Sequence, residues 1–212
     1  MTVIEQAPAD SPQAAYERAL ASGFVADAAQ QRAVLALQHC HVALQRGEQP
    51  AGVYLWGPVG RGKTWLMDSF YNSLRVPARR QHFHHFMQWV HRRQFQLTGN
   101  ADPLRLLAEE LGREVRVLCF DELFVSDIGD AMLLGRLLSL VVEQGVVLVT
   151  TSNQPPERLY EGGYNRERFL PAIAALEQHM QVVAVDGDED HRLHPGVIAR
   201  RYWVRQPQAL AE

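Results

Sequence analysis

The residues Gly57-Pro58-Val59-Gly60-Arg61-Gly62-Lys63-Thr64 carry the G-x-x-x-x-G-K-[ST] spacing of a phosphate-binding P-loop. A triphosphate needs backbone N–H groups turned inward around it, which side chains would obstruct and glycines allow. Lys63 would reach the β- and γ-phosphates of ATP, and the Thr64 hydroxyl would sit on Mg²⁺. The flanks suit the motif. Val53-Tyr54-Leu55-Trp56 reads as a strand, and Trp65 to Tyr71 reads as a helix whose positive N-terminal end would face the phosphates. The bland alternative, a Gly-rich turn joining a strand to a helix, is disfavoured by that context.

Two further runs end in groups that suit the same chemistry. Val115 to Phe120 is an apolar strand closing on Asp121-Glu122, the form of a Walker B element. At the carboxyl end of a strand, where open α/β sheets bind ligands, Asp121 would share the Mg²⁺ shell with Thr64. Glu122 would orient and polarise the attacking water as general base. Val146 to Thr151 reads as the next strand, and Ser152-Asn153 follows it. Asn153 would point toward the γ-phosphate as a sensor; its competing role is to start the turn into Gln154-Pro155-Pro156. Farther on, Arg166 and Arg168 precede Phe169-Leu170-Pro171. They follow the sensor strand at a distance where ring-forming ATPases present an arginine finger to a neighbour's nucleotide, with Arg168 the first choice and Arg166 the second.

His82, His84, His85 and His91 raise the question of a metal site. If Arg80 to Phe86 is a second strand, His82 and His84 share one face and His85 takes the other, with no cysteine or acid close in sequence. Sheet packing or a partner surface is the preferred reading.

The elements that must position these groups alternate. Two helices broken near Ser22-Gly23 precede the P-loop strand. A helix follows the second strand to about Leu97, and another starts at Asp102-Pro103 and ends near Gly112. The segment from Ser126 to Gln144 is helical, apolar nearly all round and expected to be largely buried, with Gly145 as its C-terminal stop. Met180 to Val185 is a fifth strand. Such alternation predicts a mostly parallel five-stranded sheet covered on both faces. The expected divisions are a loose tail at 1–12, helices at 13–50, a P-loop core at 51–190 and a C-terminal tail at 191–212.

The net charge of −3 and pI near 6.3 give no global footprint for nucleic acid, although Arg75, Arg79, Arg80, Arg92 and Arg93 could form a local patch. Cys40 and Cys119 offer no disulfide framework, and Cys119 sits in an apolar run as a buried thiol. No signal peptide and no membrane span is legible, so a cytoplasmic location is expected.

Taken together, the motifs resemble ZapE-type cell-division ATPases and their mitochondrial relatives. The resemblance is carried by Tyr54 to Gly57, Gly60 to Thr64, Leu66-Met67-Asp68 and Phe70-Tyr71, then by His82 to Met87 with Val90-His91. It continues through Leu118 to Glu122, Asp127-Ile128, Asp130-Ala131-Met132, Thr151-Ser152-Asn153 and Arg166 to Pro171. It implies a three-layer α/β P-loop NTPase with an AAA+ core. It also implies ATP hydrolysis, assembly into a homo-oligomeric ring, and a protein partner such as a component of the division ring. Departures from the pattern are Leu123, Tyr164-Asn165 and Asp190-His191-Arg192. Family members continue well past the position of Glu212, so the resemblance leads to the expectation that the small helical lid of AAA+ ATPases is missing from the given sequence. Two other readings stay open: a nucleotide-binding interaction module with impaired turnover, and a helicase-loader-like ATPase.

Overall fold

A computed structural model of the chain describes residues 11–187. The tails expected at 1–12 and 191–212 therefore lie, apart from Ser11 and Pro12, outside the described residues, as does Asp190-His191-Arg192. The strands are β1 (Gly52–Trp56), β2 (Ala78–His82), β3 (Val117–Asp121), β4 (Val147–Ser152) and β5 (Met180–Ala184). They form one sheet in the order β2-β3-β4-β1-β5, and every pair is parallel.

Among the described residues seven α-helices surround it: α1 (Pro12–Ala21), α2 (Ala28–Gln45), α3 (Lys63–Ser73), α4 (Phe83–Gln96), α5 (Pro103–Glu114), α6 (Ile128–Glu143) and α7 (Leu170–His179). Their starts are written in the sequence. Ser11, Asp27, Asp102 and Asp127 each accept a backbone N–H from the first turn of α1, α2, α5 and α6, and Pro12 and Pro103 occupy first-turn positions that need no donor.

Alternation along the strands sends side chains to two separate cores. Val53, Leu55, Val117, Cys119, Val147 and Val149 pack with α1, α2 and α3. Tyr54, Leu118, Phe120 and Leu148 pack with α4 to α7 on the other face. All five residues of β3 and all six of β4 are buried, as parallel strands covered on both sides must be. The outcome is the three-layer α/β arrangement expected. Both cysteines are free thiols in the α1–α3 layer, and burial pushes Cys40 up to about 12 and Cys119 upward as well.

One element differs from expectation. The second strand stops at His82, and Phe83 already opens α4, so His84 and His85 are helical rather than on opposite faces of a strand. Phe83, Phe86, Met87 and Val90 recur at helical spacing and are the buried face of α4, which outweighs the local strand pattern. Helix α6 buries Ala131, Leu134, Leu137, Leu138, Leu140 and Val141 rather than its whole surface, and Ile128 and Met132 remain 37% and 44% exposed, as does Phe124 ahead of the helix at 61%.

Phe86 anchors the α4 layer: its ring lies 4.6 Å from that of Phe120 and 5.8 Å from that of Trp89. Phe86→Ala should lower unfolding free energy by about 3–5 kcal/mol in a chemical denaturation titration. A loss within about 0.5 kcal/mol, the range of surface substitutions, would show that this layer does not hold the sheet.

Candidate active site

The P-loop leaves β1 at Gly57 and enters α3 at Lys63. Two of its glycines are required by the chain around them. Gly57 has φ 153°, and a Cβ there would run into the Val185 carbonyl oxygen. Gly62 has φ 80°, and a Cβ there would lie 2.7 Å from Gln30 Nε2. Gln30, fully buried on α2, donates from Nε2 to the Arg61 carbonyl at 3.0 Å and so braces the loop from behind. Nothing local in the sequence marks Gln30 for this task; its partner is 31 residues away.

Lys63 is 8% exposed, and its Nζ donates to the Gly57 and Pro58 carbonyls at 2.6 and 2.7 Å. Burial holds its ammonium down at about 8, Glu122 pulls the other way, and Arg61 adds to the lowering. Arg61 Nε and Nη1 are buried without a hydrogen-bond partner among the described residues.

Asp121 ends β3 and is 8% exposed. Glu122 turns out of the strand with φ 54°, a left-handed conformation that typically costs of order 1–3 kcal/mol in a non-glycine residue and persists only where neighbours enforce it. The enforcing groups come from β4. Thr151 Oγ1 accepts the Glu122 N–H at 3.0 Å, the Thr151 carbonyl accepts the Leu123 N–H at 2.7 Å, and Ser152 Oγ donates to the Leu123 carbonyl at 2.8 Å. Thr150 Oγ1 donates to the Phe120 carbonyl at 3.1 Å. The sequence signal for these bonds is the run of three hydroxyls closing a buried strand, unusual there because buried polar groups must find partners.

Because β4 lies between β1 and β3, the P-loop, Glu122 and the amide converge, whereas Asp121, paired with Arg80, lines neither of the two cavities there. A cleft of about 80 Å³ is lined by Lys63, Thr64 and Arg61 of the loop together with Glu122, Thr151 and Asn153. A larger cavity of about 480 Å³ shares Glu122, Ser152 and Asn153 with it and adds His84, Phe124, Ser126 and Asp130. His84 was not expected here; its helical placement brings it in. Asp130 also pairs with His91 at 2.7 Å. Tyr54 on β1 donates its hydroxyl to the Gln154 carbonyl at 2.9 Å and ties the turn after Asn153 to the P-loop strand.

Arg166 and Arg168 lie on the short 3-10 turn Arg166–Arg168, and neither lines the cleft. Arg166 Nη2 donates to the Glu157 carbonyl at 2.5 Å, whereas Arg168 is exposed. The candidate basic patch is partly neutralised within the fold. Arg93 is held by Glu110 at 2.5 Å, Arg80 by Asp121, and Arg79 lies 5.0 Å from the centre of the Trp89 ring.

The donors fit a nucleoside triphosphate with Mg²⁺: a loop opened by positive-φ glycines, a buried ammonium, a hydroxyl and a carboxylate. Among the described residues no group of three or more His, Cys, Asp or Glu side chains could hold a metal by itself. That suits Mg²⁺, which takes one or two carboxylates and completes its shell with substrate phosphates and water. No helix among the described residues is long and apolar enough to cross a membrane.

Comparison with known proteins bears on the family and the fold. The family model described as AFG1-like ATPase matches residues 10–209. The cell division protein ZapE of Escherichia coli K12 is 54% identical over 143 residues, covering 67% of this chain and 38% of its own length. Lactation elevated protein 1 homolog B of Danio rerio is 40% identical over 175 residues, covering 77% and 35%. This chain thus spans little more than a third of these relatives. Among solved structures, DnaI superposes with a TM-score of 0.62 at 17% identity, covering 82% of this chain and 89% of its own. AMPPCP-bound DnaA from Aquifex aeolicus gives 0.56 at 16% identity, covering 88% and 53%. These two share the fold. On the family model and the ZapE identity, the chain belongs to the AFG1-like ATPase family.

Proposed function

We propose that this chain binds ATP with Mg²⁺ in the Gly57–Thr64 loop, hydrolyses it, and couples hydrolysis to remodelling of a protein partner. The observation that carries the reading is the single cleft lined by Lys63, Thr64, Glu122 and Asn153, which come from the ends of three adjacent strands. In this reading the phosphates take over the Lys63 ammonium from the two loop carbonyls it now holds. Thr64 and Asp121 would hold Mg²⁺, which supplies charge to the β- and γ-oxygens. Glu122 takes a proton from water as the water oxygen bonds to the γ-phosphorus. The β–γ bridging bond breaks and ADP leaves. Asn153, held by the turn that Tyr54 ties down, aligns that water.

Arg168 is the arginine offered to a neighbouring copy in a homo-oligomeric ring, since Arg166 is turned back onto the Glu157 carbonyl. The kinship with ZapE, a cell division protein, supports a partner connected with cell division and a cytoplasmic location as part of this reading. The near-neutral charge favours a protein partner over nucleic acid.

Lys63→Ala should weaken Mg·ATP binding at least about tenfold, or ~1.4 kcal/mol; an unchanged dissociation constant in calorimetry contradicts the P-loop assignment. The wild-type affinity should also depend on pH. A bound polyanion favours the charged ammonium, so the Lys63 value in the complex lies above the value of about 8 in the free chain. Binding then takes up a proton above that pH, and affinity falls as pH rises past 8, by up to about tenfold per unit. A flat profile between pH 7 and 9.5 would contradict it.

Glu122→Gln keeps the shape of the side chain and removes the base. Nucleotide binding should persist while turnover drops by about 10²–10⁴. Hydrolysis at the wild-type rate by this variant would remove Glu122 from the mechanism. Nucleotide binding without any turnover by the wild type would instead support the interaction-module reading.

Arg168→Ala should lower turnover by about 10³–10⁵ if the finger acts between copies. Mixing Arg168→Ala with Glu122→Gln chains should then recover activity at mixed interfaces. No recovery at any ratio, with a protein that stays monomeric in ATP, would exclude a shared site.

A further inference from the structure

The carboxylate at the end of β3 is not presented alone. Arg80 lies opposite Cys119 in the β2–β3 register, and Cys119 belongs to the core on the α3 side. From that face Arg80 Nε donates to Asp121 Oδ2 at 2.8 Å and Nη2 to Oδ1 at 3.2 Å, a two-pronged pairing with both oxygens. The remaining arm, Nη1, meets Asp68 on α3. Arg80 and Asp121 keep only 21% and 12% of their side-chain exposure, while Asp68 keeps 41%. Asp68 stands four residues beyond Thr64, one turn along the same face of the same helix. One guanidinium therefore spans from the end of β3 to the helix that begins with Lys63 and Thr64.

We propose that Arg80 is a positioning residue for the Mg²⁺ of the ATPase reaction. By forking onto Asp121 and bracing against Asp68 it fixes the Asp121 carboxylate relative to Thr64. The inference rests on the reading of Thr64 and Asp121 given above. A carboxylate offers about four acceptor positions. Arg80 occupies one on each oxygen, which sets the plane of the group and leaves the others for the cation and its waters. Two carboxylates against one guanidinium also leave the cluster net negative, so it still attracts a cation. The opposite arrangement, in which Arg80 merely competes with Mg²⁺ for Asp121, makes the reverse prediction.

The test uses the full 212-residue chain and a fluorescent ATP analogue, titrated first in EDTA and then with rising Mg²⁺. In Arg80→Met the Mg²⁺ midpoint should rise about 10–100-fold, as when a group that orients a metal-holding residue is lost. Binding in EDTA should hold, because the loop and Lys63 are untouched. Arg80→Lys restores the charge without the fork and should fall between. Asp68→Asn, on a more exposed group, should raise the midpoint by less while the thermal melt stays that of wild type. An unchanged or lowered midpoint in Arg80→Met overturns the proposal. If that variant fails to fold, an unchanged midpoint in Asp68→Asn overturns it. Failure of wild type to bind the analogue in either condition would instead bring down the ATP reading itself, and the role of Arg80 with it.

Discussion

Strand β4 is paired on both sides, with β1 through Val53↔Val149 to Trp56↔Ser152 and with β3 through Val117↔Val147 to Phe120↔Thr150. Remove that double pairing and the site disperses. The P-loop, the acid pair and the amide are far apart in sequence, and only the parallel register brings their strand ends level. Parallel pairing also turns every carboxyl end the same way, which is why ligand chemistry in such sheets gathers along one edge. Here β4 goes further: Thr151 and Ser152 reach across to hold the backbone of Glu122 and Leu123, and the Ser152 carbonyl accepts the N–H of Gly57. One strand end supports both walls of the cleft.

The two cores serve that edge differently. The face built by α4 to α7 is aromatic and aliphatic, and it fixes the sheet. The face built by α1 to α3 adds two polar supports of its own. Gln30 is buried against the P-loop, and Arg80 bridges Asp121 and Asp68. Buried polar groups of this kind are costly when unpaired and position their neighbours when paired. Their placement behind the phosphate loop links the fold's packing to the proposed chemistry.

Much of this was legible in the sequence because the signals were local. Glycines and a Lys-Thr pair announce the P-loop, apolar runs ending in Asp-Glu or Asn mark β3 and β4, and Asp102-Pro103 marks the start of α5. The boundary between β2 and α4 was not legible. Ala78 to His82 is a polar edge strand with no apolar alternation, and no turn residue separates it from the helix. His84 reaches the larger cavity because that boundary puts it in the first turn of α4. Arg80 looked like part of a surface patch because its partners lie 41 residues ahead and 12 behind, Asp121 and Asp68. The Thr151–Glu122 bond was hidden for the same reason: sequence patterns report which face a residue takes, not whom it meets across a sheet.

The central claim is that three strand ends form one nucleotide site. Amide hydrogen exchange of the full chain with and without Mg·ATP tests it most directly, since protection reports on local opening segment by segment. The account predicts slowed exchange together in residues 57–64, 121–124 and 150–154, with α5 unchanged. Protection confined to the P-loop, or no protection in any of the three, would contradict it.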